Sequence, residues 1–283
     1  MKKIVIPIDF SKRTETALIA AKEIAIKTLA EVVLYHCIEA PSDAGFTTTG
    51  EVMAPDIMDK VFVHKSIELS NKKIKHLLND SKFAGMRLHP KIKIVHTEDD
   101  YLKYIEEEKP DLIIIGTEEN HHLFKGFLHG THARMTISES DCMVLSVKKI
   151  EQDFSLKNIV FATNFEQDSP IFIEHIKTLQ NIFDFRLHII YVDALLSHER
   201  SAEDILVAKE AFLRKYNIGE HQFKIIEDFT EYNGILKYAK KVNADLIALT
   251  THKRTGFHIL GGISNDLVEE TAFPILTFSA DAI

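Results

Sequence analysis

The stretch Asp111–Lys148, DLIIIGTEENHHLFKGFLHGTHARMTISESDCMVLSVK, decides how this chain is read. Leu112–Ile115 is a short continuous apolar run, as expected of a strand covered on both faces. Gly116-Thr117 and Gly130-Thr131 bracket a loop, a short helix follows, and Val144–Val147 is a second strand. A strand that enters a glycine-containing loop and then a helix presents backbone N–H groups to a phosphate. A weaker copy of the block, Asp245–Phe278, closes the chain.

Upstream, Ile4-Val5-Ile6-Pro7-Ile8-Asp9 is another apolar run, this one ending in an acid. Ser11 is placed to cap the helix that follows, where Ala17, Leu18, Ala21, Ile24, Ala25 and Thr28 recur at three-and-four spacing and mark a core-facing stripe. Val32–Cys37 is the second strand. Ala40–Gly50, with its glycines and three consecutive threonines, reads as a loop. Val63, Ile67, Ile74 and Leu77 mark one face of a long helix, Lys91–Val95 a third strand and Tyr101–Glu107 a further helix. Strands alternating with helices predict parallel sheets with right-handed crossovers.

The pattern then restarts. IVIPIDF at Ile4 matches IVFATNF at Ile159, an offset of 159 − 4 = 155, and His36-Cys37 keeps that offset against Tyr191-Val192. DLIIIGT at Asp111 matches DLIALTT at Asp245, where the offset is 245 − 111 = 134. The second copy is therefore 21 residues shorter between its second and fourth strands. Cys142-Met143-Val144-Leu145 matches Phe273-Pro274-Ile275-Leu276 at 273 − 142 = 131, so three more residues are missing from its loop. Phe172, Ile176, Leu179 and Phe183 repeat the helical stripe. The chain is a tandem duplication of one α/β domain, with domains expected at 1–150 and 151–283.

A chain of 283 residues, 45% hydrophobic, can bury one or two ordinary cores. Its net charge of −8 argues against nucleic acid as a partner, because neutralising phosphates needs a basic face. No apolar run approaches the roughly 18 residues of a membrane span, and the N-terminal run is too short for a signal segment. Two cysteines, Cys37 and Cys142, without CxxC spacing, fit a reduced, cytoplasmic protein.

Each half resembles a universal stress protein domain, and the two halves together cover nearly the whole chain. The resemblance implies two tandem doubly wound five-stranded parallel-sheet domains of the adenine nucleotide alpha hydrolase-like type. Nucleotide-binding members carry a strand-one Asp and a loop of Gly, two residues, Gly, nine residues, then Gly-Ser or Gly-Thr. Asp9 in Ile6-Pro7-Ile8-Asp9 supplies the first, and Gly116 and Gly130-Thr131 match the outer ends of the second. SESDCMVLSV at Ser138–Val147 resembles the closing segment, with Met143 where Pro is usual; the second half has that proline, Pro274.

This chain also departs from the pattern. Glu119 stands where the middle glycine belongs, and ten residues then precede Gly130. If Asn120 takes that role the nine-residue spacing returns, and Asn tolerates a left-handed backbone. Glu118 and Glu119 add negative charge beside any phosphate unless they face solvent or a metal. In the second half Asn164 replaces the Asp, Thr250 and Lys253 replace the first two glycines, and the loop before Gly261-Gly262 is shorter. That second site reads as degraded.

The expected nucleotide site is thus Pro7, Asp9, Ser11, Cys37, Gly116, Thr117, Asn120, Gly130, Thr131 and His132 in the first half. All belong to strand ends or to the loop, where open parallel sheets bind ligands. The carboxylate accepts hydrogen bonds from a ribose or base, and amides at the helix start donate to phosphate. The plainer reading is that Asp9 caps the first helix and Gly130 serves a turn. His121, His122 and His129 beside the two glutamates are the candidates for a divalent metal, although the loop lacks the helical pair spacing of zinc sites. Cys37 and Cys142 also read as small core residues.

No Walker loop, GxSxG elbow or HExxH is present, so a dedicated enzyme is not expected, beyond the slow ATP hydrolysis that the resemblance implies for some members. The first functional expectation is a stress-response regulator binding ATP or AMP, with or without Mg. The alternative is a nucleotide-free scaffold, or a sensor of another small ligand or metal. The resemblance also implies pairing through the last strands, Val144–Val147 with Ile275–Phe278, making an intramolecular pseudo-dimer that can dimerise again.

Overall fold

A computed structural model describes residues 1–40, 44–47, 49, 51–54, 56–117, 136, 137, 140–150, 154–165, 168–195, 200–251 and 263–279. The chain divides into two compact units, the first running from Met1 to Thr117 and the second containing the described residues from 136 onward.

In the first unit β1 (Lys3–Pro7) leads into α1 (Lys12–Thr28), then β2 (Glu31–Glu39), a small hairpin of β3 (Gly45–Phe46) and β4 (Val52–Met53), and α2 (Ile57–Leu78). β5 (Arg87–Val95), α3 (Glu98–Glu107) and β6 (Leu112–Gly116) follow. The sheet order is β5-β2-β1-β6, and every one of these pairings is parallel. The central residues of β1, β2 and β6 are apolar because helices cover both faces; Ile4, Val5, Ile6, Val32, Leu34 and Ile113 are fully buried. Ala17, Leu18, Ala21, Ile24 and Ala25 of the predicted stripe are buried on α1, while Thr28, in its last turn, is only partly buried. Ser11 caps α1 by accepting from the Arg13 amide, and Thr97 and Asp100 form a reciprocal capping box on α3. Ala40–Gly50, read as loop, contributes β3 to the hairpin instead. Its Ala44 joins Val52, Val63 and Ile94 in a small core of its own.

The second unit contains β7 (Met143–Val147), β8 (Asn158–Ala162), α4 (Pro170–Phe183), β9 (Arg186–Ala194), α5 (Ala202–Tyr216) and β10 (Gln222–Asp228). It ends with α6 (Glu231–Lys241), β11 (Leu246–Thr251), α7 (Ile263–Glu270) and β12 (Ile275–Ser279). Its sheet order is β10-β9-β8-β11-β12-β7. The second repeat's own five strands are all parallel, and β12 runs antiparallel to β7 with Leu276 opposite Leu145. Within this unit β12 thus covers the edge of β7.

The duplication reaches individual backbone angles. Phe10 and Phe165, 155 apart, have φ of 62° and 66°; Leu29 and Asp184, also 155 apart, have 55° and 53°. Lys109 and Asn243, 134 apart, have 49° and 50°. The Asp that opens each DLI motif has a repeated task too. Asp111 accepts from the Lys2 and Lys3 amides at 2.5 and 2.9 Å, and Asp245 accepts from Lys157 and Asn158 at 2.7 and 2.8 Å. Each carboxylate supplies the acceptor that the amides at the start of the neighbouring strand would otherwise lack.

Candidate functional site

The register of the first sheet assembles one row of residues at its carboxyl end. Pro7 lies opposite Tyr35, so two residues on Asp9 comes level with Cys37. Val5 lies opposite Ile113, and Asp9 and Thr117 each follow just past the ends of these two paired strands. This row spans the point where the β1 and β6 connections diverge, the place where doubly wound sheets bind ligands.

Asp9 is the most connected residue there. Its Oδ1 accepts from the Ser11 amide at 2.9 Å, the Ser11 hydroxyl at 2.5 Å and the Thr14 hydroxyl at 2.8 Å. Arg13 Nη2 donates to Oδ2 at 2.7 Å. Burial alone would raise the carboxyl pKa, but the Ser11 and Thr14 donors and the Arg13 charge reverse that and hold it down at about 2. The carboxylate is therefore ionised at neutral pH, and the first turn of α1 occupies it. The capping reading of Asp9 and the ligand reading compete for the same lone pairs. Arg13 and Thr14 were not among the expected site residues; the signal was their spacing of four and five from Asp9 across a helix start.

Phe10, in the left-handed region, turns its ring onto His36 with centroids 4.6 Å apart. His36 Nδ1 lies 2.8 Å from the Ile8 carbonyl, which can only accept, so the proton sits on Nδ1. Burial lowers the His36 pKa, only partly countered by that carbonyl. Cys37 is buried in β2, and desolvation pushes its thiol up to about 12. It is a small core residue with no thiolate character at neutral pH.

Gly116 ends β6 against α1: a Cβ there would lie 2.1 Å from the Arg13 carbonyl oxygen. Its missing side chain lets the helix start approach the strand end. Thr117, next in line, is buried, and its hydroxyl has no hydrogen-bond partner among the described residues. Pro7 and Ser11 complete the described part of the expected site. Asn120, Gly130, Thr131 and His132 lie outside the described residues, as do the metal candidates His121, His122 and His129. Among the described residues no group of three or more metal-ligating side chains occurs.

At the equivalent place in the second unit the chemistry has changed. Thr250 stands at the Gly116 position and Asp168 at the Arg13 position. The Thr250 hydroxyl donates to Asp168 Oδ1 at 3.2 Å, and the Thr163 hydroxyl donates to Oδ2. A buried carboxylate with hydroxyl donors replaces the half-buried network of Asp9.

The model of the universal stress protein family matches residues 1–148 and again 155–279. The chain belongs to the universal stress protein family. It is a tandem member, and its fold matches a universal stress protein from Archaeoglobus fulgidus DSM 4304 with a TM-score of 0.73, at 18% identity over 98% of each chain. A functionally unknown protein from Pseudomonas aeruginosa PAO1 gives a TM-score of 0.63 at 15% identity, covering 99% of this chain and 92% of the other. A universal stress protein solved in complex with cAMP gives 0.37 at 12% identity, covering 45% of this chain and 99% of its own. No curated protein sequence matches the chain. Among the described residues of this universal stress protein, no helix is long and apolar enough to cross a membrane.

Proposed function

We propose that the first repeat binds an adenine nucleotide, ATP or AMP, and that the protein acts as a stress-response regulator through that ligand. The observation that carries the reading is the row Cys37–Asp9–Thr117 at the switch point of a parallel sheet. At its end the buried Thr117 hydroxyl has no partner among the described residues. A buried hydroxyl without a partner costs about 1–3 kcal/mol, which a ligand's polar group recovers. Asp9 and Ser11 would meet the ribose or base. Gly116, Thr117 and the loop residues Asn120, Gly130, Thr131 and His132 would meet the phosphates, with or without Mg. Bound nucleotide would then set the surface that the Glu118–His129 segment offers to a partner.

A second reading is favoured by one specific observation. The four donors to the Asp9 carboxylate all come from α1 and its cap, so the fold satisfies that group without a ligand. In that reading the protein is a nucleotide-free scaffold. Thermal unfolding of the full chain with millimolar ATP, ADP and AMP separates the two. Binding to the native state alone raises the melting temperature as ligand concentration climbs past Kd. A rise with any of the three supports the first reading; no rise with all three leaves the scaffold.

A further inference from the structure

The two copies of one phenylalanine meet different surroundings. In the first unit Lys73, from α2, holds its Nζ 5.1 Å from the centre of the Phe10 ring. A protein cation therefore covers that face of Phe10. In the second unit the equivalent ring is Phe165, and the helix corresponding to α2 is α5. Among the described residues no lysine lies over Phe165; the nearby cations Lys209 and Lys215 sit over Phe223 and Tyr216 instead. The residue at the Arg13 position is Asp168, a reversal of charge. Between Phe165 and α5 lies a cavity of about 170 Å³, lined by Phe165, Asp168, Ala208, Phe212, Lys215 and Tyr216.

We propose that this cavity binds a small organic cation, an ammonium group carrying a body about the size of a benzene ring. The ligand would take the part that Lys73 plays over Phe10. The volume suits such a body, since an apolar cavity of about 150 Å³ holds benzene. The walls suit the charge. Phe165 and Phe212 meet at 62° with centroids 5.3 Å apart, and Phe212 and Tyr216 meet at 62° and 4.9 Å. Lys215 already lies over Tyr216, so Phe165 and Phe212, set at a steep angle, are the rings that would receive the ammonium group. The Thr163 and Thr250 hydroxyls hold the Asp168 carboxylate in place at the same wall. Lys215 works against the ligand. Its Nζ lies 4.8 Å from the Tyr216 ring centre, and its charge has the same sign as the proposed guest.

The test is isothermal titration of the full chain with benzylammonium at neutral pH, beside benzyl alcohol and benzoate as neutral and anionic probes of similar shape. Benzylammonium is expected to bind at one saturable site, and the other two at least about tenfold more weakly. Asp168→Asn keeps the shape and removes the charge, so it should lose that preference. Ala208→Leu fills the cavity from a helix that tolerates leucine and should abolish binding while the protein stays folded by circular dichroism. Failure of benzylammonium to bind overturns the proposal, as does equal binding of benzyl alcohol or benzoate. Undiminished binding by a folded Ala208→Leu, or an unchanged preference in Asp168→Asn, overturns it too. None of these outcomes depends on whether the first repeat binds a nucleotide.

Discussion

The backbone of Arg13 lies so close to Gly116 that a single added methyl group would come within 2.1 Å of its carbonyl oxygen. Gly116→Ala should therefore push β6 and α1 apart. Overpacking of this kind costs about 1–3 kcal/mol. Urea unfolding should show a lower midpoint with an unchanged slope. A variant as stable as the parent would mean that the helix start can yield freely, and the packing role of Gly116 would be lost.

Asp9 makes stability depend on acid. Its pKa is held at about 2 in the fold against 3.8 when unfolded, so its contribution is complete above about pH 4 and disappears as the pH falls through 2. A shift of this size corresponds to about 2 kcal/mol, and discounting for partial exposure leaves about 1–2 kcal/mol. Asp9→Asn should be less stable than the parent by that amount at pH 7, with the difference closing towards pH 2. A constant difference across that range would assign the loss to packing instead.

His188 acts at a higher pH. It is buried, its Nε2 has no partner among the described residues, and burial followed by the Arg186 charge lowers its pKa. The unfolded chain then takes up a proton near pH 6.5 before the folded one does, so stability is full above that value and falls as the pH drops below it. The first repeat has Val33 at the equivalent position. His188→Val should make the urea midpoint less sensitive between pH 7 and pH 5. An unchanged pH slope would remove His188 from the explanation.

The duplication can be read from the sequence because buried parallel strands are continuous apolar runs, and Ile4–Ile8, Leu112–Ile115 and their copies announce themselves. The β3–β4 hairpin cannot, because strands of two residues carry no period. Gly116 shows a different limit. A missing side chain serves a phosphate or a close helix equally well, and the Arg13 contact, visible only in the fold, adds the helix to its uses. The same holds for Asp9, whose partners Arg13 and Thr14 come within reach only once α1 has formed.

Thiol chemistry gives an independent check on the row at the sheet end. Cys37 is buried with its pKa raised to about 12, whereas Cys142 is partly exposed. The thiolate is the reactive form, so Cys37 should stay silent to a disulfide reagent at pH 8. One thiol per chain is expected to react in the native protein and two in denaturant. Rapid reaction of Cys37 in native protein would show that the end of β2 opens readily.

Pairing of β7 with β12 makes the strongest demand on the whole chain. Val144, Leu145 and Ser146 lie opposite Thr277, Leu276 and Ile275, and the Thr277 hydroxyl also donates to the Val144 carbonyl at 3.3 Å. Residues 1–150 alone would leave that edge of β7 without its partner, and an apolar unpaired edge recruits another strand. Size-exclusion chromatography with light scattering should find the truncated protein as a dimer or larger. Leu145→Lys in the truncated protein should reduce the association, because a charge on such an edge disfavours strand addition. A truncated protein that runs as a clean monomer would mean that β7 does not need the second repeat to cover it.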